Sequence, residues 1–270
     1  MKTYSDSHSH LSDLRIESEV ESMIQRAKSR GITKFLQGGV GPEDWERQRA
    51  LKAKHPEIRL CFGLHPYWIA DHSDEECEQA LNRLAREIGQ AEALGELGLD
   101  LRPHILKDSM DRQLEFFQAQ LELAEVAGKP VVLHLVRAFH EAEKIFDLWG
   151  VPPRAGMVHS FNGSRTEAES YLKRGFFLSI GGPVVRPDNL KLHQAVQIIP
   201  LEKLLVETDS PDQPPPGWQG GWNEPVSLWD VAEKIAELKK LTAEEVLDIS
   251  SQNLEKMLTY ADKRQSQFQF

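Results

Sequence analysis

Cysteine is scarce. The chain carries two in 270 residues, Cys61 and Cys77, each inside an apparently regular segment. That excludes a disulfide framework and fits reduced thiols in a cytoplasmic protein. No apolar run reaches eighteen residues, which excludes a transmembrane helix. The stretch from Met1 to Asp6 turns polar at once and lacks the apolar segment of a signal peptide. Positive charge is also short: 32 Lys and Arg stand against 42 Asp and Glu, a net charge of −10, with no basic run longer than a pair. A protein that grips long duplex by charge alone carries a basic face, so any nucleic-acid substrate must be attracted locally. No G-x-G-x-x-G follows the first apolar run, unlike many open doubly wound sheets. No linker rich in Pro, Gly or Ser divides the middle of the chain.

What is present is core material, with 40% hydrophobic residues including 6 Trp and 11 Phe. Short apolar runs alternate with amphipathic segments. The runs are Thr3–His10, Lys34–Gln37, Leu60–Leu64, Ala93–Leu97, Val131–Leu135, Gly156–His159, Phe176–Ile180 and Leu204–Glu207. Several are rich in Val, Leu or Phe, as strands buried on both faces are. Val20, Met23, Ile24 and Ala27 make one apolar helix face closed by Gly31. Leu114, Phe117, Leu121 and Ala124 make another before Gly128. Helices are also expected over 164–174 and 226–241, with a last one ending over 253–260. Eight strands alternating with helices give an α/β chain folded as a single-domain (β/α)8 TIM barrel. Residues 1–260 are expected to form it, with 261–270 as a polar tail.

The ionisable residues cluster at strand ends. In Asp6-Ser7-His8-Ser9-His10 the alternate residues share a face, which in a barrel is the interior. Two adjacent buried imidazoles need hydrogen bonds or a metal. Glu96 ends the fourth strand, His134 the fifth, His159 the sixth, and Glu207-Thr208-Asp209 the eighth. Any one of these could be a satisfied core residue. Six of them (His8, His10, Glu96, His134, His159 and Asp209) delivered to the C-terminal rim, where barrels build active sites, point to a metal centre.

The residues then resemble those of a known family, the TatD-like metal-dependent deoxyribonucleases, a branch of the amidohydrolase-type barrels. The matching stretches are Asp6 to Leu11, Gly63-Leu64-His65-Pro66, Gly95 to Asp100, Val131 to His134, His159 to Gly163, Glu207 to Pro211 and Asn223-Glu224-Pro225. They run in the family's order from residue 6 to residue 225. The resemblance implies two divalent ions, of Zn, Mn, Mg, Co or Ni. His8 and His10 would hold the first, Glu96 would bridge both, and His134 and His159 would hold the second. Asp209 would bind the first ion and touch the attacking water. His65 would contact the substrate phosphate or leaving oxygen. Arg137, three residues after His134, could clamp a phosphate or could be an ordinary helix-start arginine. Tyr67, Trp68, Trp218 and Trp222 could stack on bases or simply pack. His55, His72, His104, His140 and His193 are expected to be solvated.

Several positions, among them the following three, depart from the commonest family pattern. Tyr67 stands where many relatives carry a histidine, Ser160 follows His159 in place of a cysteine, and Trp222 replaces a frequent arginine. None removes a metal ligand. The rim is more aromatic, and Gln213–Trp222 reads as a specialised loop over the pocket. The activity expected is hydrolysis of DNA phosphodiesters by a metal-activated water, at single-stranded or frayed ends or at lesions. Asp209, Glu96 and His65 are the catalytic candidates, and no membrane or obligate protein partner is indicated. The alternatives are an amide, ester or lactone hydrolase on the same binuclear site, or a catalytically silent barrel.

Overall fold

The computed structural model describes residues 2–106 and 108–259. The expected tail at 261–270 lies outside them. In chain order the elements are β1 (Tyr4–Ser9), α1 (Val20–Ser29), β2 (Ile32–Gln37), α2 (Pro42–Lys54), β3 (Ile58–Arg59), β4 (Cys61–Phe62), α3 (Pro66–Asp71) and α4 (Asp74–Glu87). Then follow β5 (Ala93–Asp100), α5 (Pro103–Leu106), α6 (Met110–Ala127), β6 (Val131–Val136), α7 (Phe139–Trp149), β7 (Gly156–Val158) and α8 (Arg165–Lys173). The last are β8 (Phe177–Ile180), α9 (Leu190–Ile198), β9 (Leu204–Val206), α10 (Leu228–Lys239) and α11 (Ala243–Thr259).

Every strand pairing is parallel. One ladder runs β1-β2-β3 and a second runs β4 to β9 in sequence order. The expected third strand, Leu60–Leu64, shortens to β4, and β3 precedes it on the other ladder, the two parted at Leu60. There the backbone N–H leaves the ladder to donate to Glu92 Oε2 at 2.7 Å. Across the remaining seam Asp209 N donates to the His8 carbonyl at 3.0 Å, and Ser7 Oγ donates to Val206 O at 2.8 Å. The result is a (β/α)8 barrel.

The sequence explains the wrapping. Strands such as β6, Val-Val-Leu-His-Leu-Val, carry apolar side chains toward both the barrel interior and the helices. Ser73 with Glu76, and Ser164 with Glu167, close reciprocal capping boxes at the starts of α4 and α8. Leu36, Cys61, Ala93, Val132, Met157, Phe177 and Leu205 form a buried apolar cluster with Leu254 and Met257 of α11. Polar side chains collect at the opposite, C-terminal ends of the strands. Both cysteines are buried and free. Among the described residues no helix is long and apolar enough to cross a membrane.

Candidate metal centre

Alternation along β1 turns His8 into the barrel, fully buried, and His10 just beyond the strand joins it at the rim. Their Nε2 atoms lie 3.3 Å apart. Glu96, 1% exposed inside β5, divides its carboxylate between two groups of imidazoles. Oε1 lies 3.1 Å from His10 Nε2 and 3.5 Å from His8 Nε2. Oε2 lies 2.6 Å from His159 Nε2, 3.2 Å from His134 Nδ1 and 3.7 Å from His65 Nε2. Asp209 Oδ1 completes the first group, 3.4 Å from His10 Nε2 and 3.6 Å from His8 Nε2. All six residues expected to converge do so, and His65 joins them.

Three overlapping sets could each hold a cation, with ligand atoms within 4.8 Å of one another: His8, His10 and Asp209; His8, Glu96 and His159; His65, Glu96 and His134. The donor set fits a divalent ion. Glu96 Oε1 is buried and finds no hydrogen-bond donor, although imidazole nitrogens and a second carboxylate surround it. An unpaired buried carboxylate oxygen is costly, and a cation removes that cost. The space is also kept open. A methyl group on Gly38, just after β2, would sit 2.5 Å from His10 Cε1 and 2.6 Å from both Glu96 Oε1 and His8 Cε1.

The ionisable groups hold one another in charged forms. Burial works against the Glu96 carboxylate, yet the surrounding His159, His8 and His10 keep its pKa well below the usual range. Burial likewise opposes protonation of His10, but Glu96 and Asp209 raise it well above the ordinary imidazole value. The same imidazoles bring Asp209 down to about 2 against the cost of burial. His65 differs, because burial and the neighbouring His134 push it well below the ordinary value, so it is neutral. Its Nδ1 accepts the backbone N–H of Tyr67 at 3.1 Å. The ring proton must then sit on Nε2, which faces the cup as a donor.

Behind the cup stand two carboxylates that the sequence reading passed over as site residues. Asp100 Oδ2 lies 3.3 Å from His134 Nε2, and Arg102 grips the same carboxylate. Glu207 is fully buried, accepts Ser160 N at 2.5 Å and stands 3.7 Å from His159 Nδ1. Gln213 donates to Asp209 Oδ2 and, at 2.8 Å, to Ser160 Oγ. The position of Asp100 and Glu207 in the matched stretches was a signal that they face the rim. Their pairing with particular histidines needed the fold.

A cavity of about 1250 Å³ opens over the cup, lined on its walls by Asp13, Arg15, Tyr67, Arg137, Phe139, Lys191 and Gln213 among others. Six non-glycine residues among those described have left-handed backbone, and four of them, Arg137, Ser160, Asp209 and Gln213, line this cavity. Such conformations cost about 1–3 kcal/mol each and gather where function over-determines the backbone. Of the four aromatics considered for stacking, Tyr67 lines the cavity and is exposed. Trp68 instead stacks on His72 at 3.8 Å, and Trp218 donates to the Trp222 carbonyl at 2.8 Å. Two histidines expected in solvent are buried: His55 pairs with Glu21 at 2.9 Å, and His193 donates to Val184 O at 2.8 Å. His55 caps the C-terminus of α2 and His193 lies on the inward face of α9, and in each case a hydrogen bond makes burial acceptable. His140 lines the cavity.

The family model described as TatD related DNase matches residues 5–259. The chain belongs to this family. Among its TatD relatives, the metal-dependent hydrolase YabD of Bacillus subtilis is 32% identical over 252 residues, covering 93% of this chain and 97% of that protein. The metal-dependent hydrolase YjjV of Escherichia coli K12 is 33% identical, covering 89% and 92% of the two chains. The crystal structure of that TatD homolog superposes with a TM-score of 0.84 at 31% identity, covering 94% of this chain and 97% of that one. A third relative, from Erwinia tasmaniensis, bears the name 3'-5' ssDNA/RNA exonuclease TatD; it is 30% identical over 238 residues, covering 85% and 90%. The protein is thus a TatD-family metal-dependent hydrolase.

Proposed function

We propose that the cup holds two divalent cations and that the protein hydrolyses phosphodiester bonds of DNA at single-stranded or frayed ends. The carrying observation is the split carboxylate of Glu96, with one oxygen turned to His8, His10 and Asp209 and the other to His134 and His159. His8, His10, Asp209 and Glu96 Oε1 would hold one ion, and Glu96 Oε2, His134 Nδ1 and His159 Nε2 the other. Four imidazoles with two carboxylates suit Zn, Mn, Co or Ni, with Mg also usable. When bound, the ions lower the pKa of water and offset the charge of a phosphoryl group.

The protein's own groups supply position and proton traffic. Asp209, ionised and fixed by its backbone bond to His8, orients the attacking water and accepts its proton as oxygen bonds to phosphorus. The bond from phosphorus to the leaving oxygen then breaks, and that oxygen is protonated from solvent water as Asp209 returns its proton to solvent. His65, neutral with Nε2–H facing the cup, stabilises that oxygen by a hydrogen bond without giving up its proton. Support for a nucleic-acid substrate comes from the Erwinia relative, which bears the name of a 3'-5' ssDNA/RNA exonuclease.

The test offers the metal-loaded protein labelled single-stranded DNA beside a panel of esters, lactones and N-acyl compounds. Cleavage of the DNA is expected, and Asp209→Ala should lower its rate by at least 10²-fold. Turnover of the panel alone would overturn the phosphodiesterase assignment.

A further inference from the structure

Six basic side chains line the cavity over the cup: Arg15, Arg47, Arg102, Arg137, His140 and Lys191. Three are already engaged. Arg15 binds Asp212 at 2.6 Å and Asp13 at 2.7 Å through Nη2. Arg47 donates to the Ser12 carbonyl at 3.0 Å and to Asp44 at 3.4 Å. Arg102 is held by Asp100 at 2.9 and 3.0 Å. Arg137, His140 and Lys191 are different, since none has a hydrogen bond or ion pair among the described residues.

These three unpaired groups share one side. Arg137 follows β6, His140 lies in the first turn of α7, and Lys191 lies in the first turn of α9 after β8. Arg137 takes a left-handed φ of 57° at this turn. Ala138 caps α7 with no side-chain bond, so the first N–H groups of that helix also face this lip unpaired. The opposite wall, from the loops after β1 and β9 and the start of α2, sets the carboxylates of Asp13, Asp44 and Asp212 against only two guanidiniums, whereas the one carboxylate lining the lip itself among the described residues, Glu167 of α8, is taken up in that helix's capping box. The cavity is therefore polarised, on a molecule whose net charge of −10 supplies no general attraction for polyanions.

We infer that Arg137, His140 and Lys191 form a phosphate track, along which one nucleic-acid strand crosses the β6–β8 lip with its flanking phosphates seated beyond the scissile bond. The inference rests on the phosphodiesterase reading of the cup. It makes the substrate a single strand of several nucleotides, because the acidic wall across the cavity repels a second backbone. One exposed phosphate contact is weak, so the track acts by summing several.

The experiment compares a single-stranded DNA twelve-mer with bis(p-nitrophenyl) phosphate, a diester with no flanking phosphates, using metal-loaded protein. In an Arg137→Ala/Lys191→Ala double variant the ratio of kcat/KM for the twelve-mer to that for the small diester should fall about tenfold. The log–log salt slope for twelve-mer binding should become shallower by about 0.7 per contact removed. Lys144→Ala, on the same helix as His140 but outside the cavity, should leave the ratio as it is. An unchanged ratio in the double variant, with both substrates still cleaved, overturns the track and leaves the phosphodiesterase reading standing. Cleavage of neither substrate by the unaltered protein overturns both.

Discussion

The Asp100 carboxylate stands behind His134, with Oδ2 3.3 Å from Nε2, and so turns Nδ1 toward Glu96. A histidine donating from one ring nitrogen presents a lone pair on the other, and a carboxylate behind it raises its basicity. Asp100→Asn should weaken metal binding about 10–100-fold, measured by competition with a chelator. The same substitution has a pH signature. Burial opposes ionisation of Asp100, but hydrogen bonds from His134 and Arg102 outweigh it and hold the carboxyl below its usual range. A depressed folded value contributes stability above the unfolded carboxyl value near ~4 and loses it as pH falls. The advantage of the unaltered protein in urea midpoint, measured without metal, should shrink below that pH.

His65 tests donor against ligand. If its Nε2–H serves the leaving oxygen, His65→Ala lowers kcat on single-stranded DNA about 10²-fold while the ion count per chain stays the same. Loss of one ion in the variant would make Nε2 a ligand instead.

Gly38 keeps the cup open by having no side chain. Gly38→Ala places a methyl group within 2.6 Å of Glu96 Oε1 and His8 Cε1. We expect lower metal occupancy by elemental analysis and little activity, with a circular dichroism spectrum that is unaltered. Full occupancy would mean that the histidines yield.

Stripping the ions should abolish activity and lower the melting temperature. At a thousandfold excess over Kd, one bound ion adds about 4 kcal/mol. For a chain of this size that corresponds to about 10 °C. A melting temperature indifferent to metal would contradict a buried cation site at Glu96.

The order of strands and helices was legible because buried parallel strands leave apolar runs and helices leave a stripe. It blurred where polar groups do structural work. α2 buries Asp44 and Gln48, which bond the backbone at Val40, Gly38 and Cys61, so its apolar periodicity is weak. The third strand read as Leu60–Leu64, whereas the Glu92 side chain captures the Leu60 N–H, only Cys61–Phe62 pairs with β5, and Ile58–Arg59 pairs with β2 instead.

The sequence by itself determined which residues reach the rim. Alternation in β1, the placement of Glu96 and His134 within β5 and β6, and that of His159 and Asp209 just past β7 and β9 fix that locally, as a matter of strand geometry. Only the tertiary structure decided how Glu96 divides its two oxygens, which carboxylate backs which histidine, and which rim arginines are already neutralised. Those are distances between side chains far apart in the chain, set by how the barrel closes, and no local pattern encodes them.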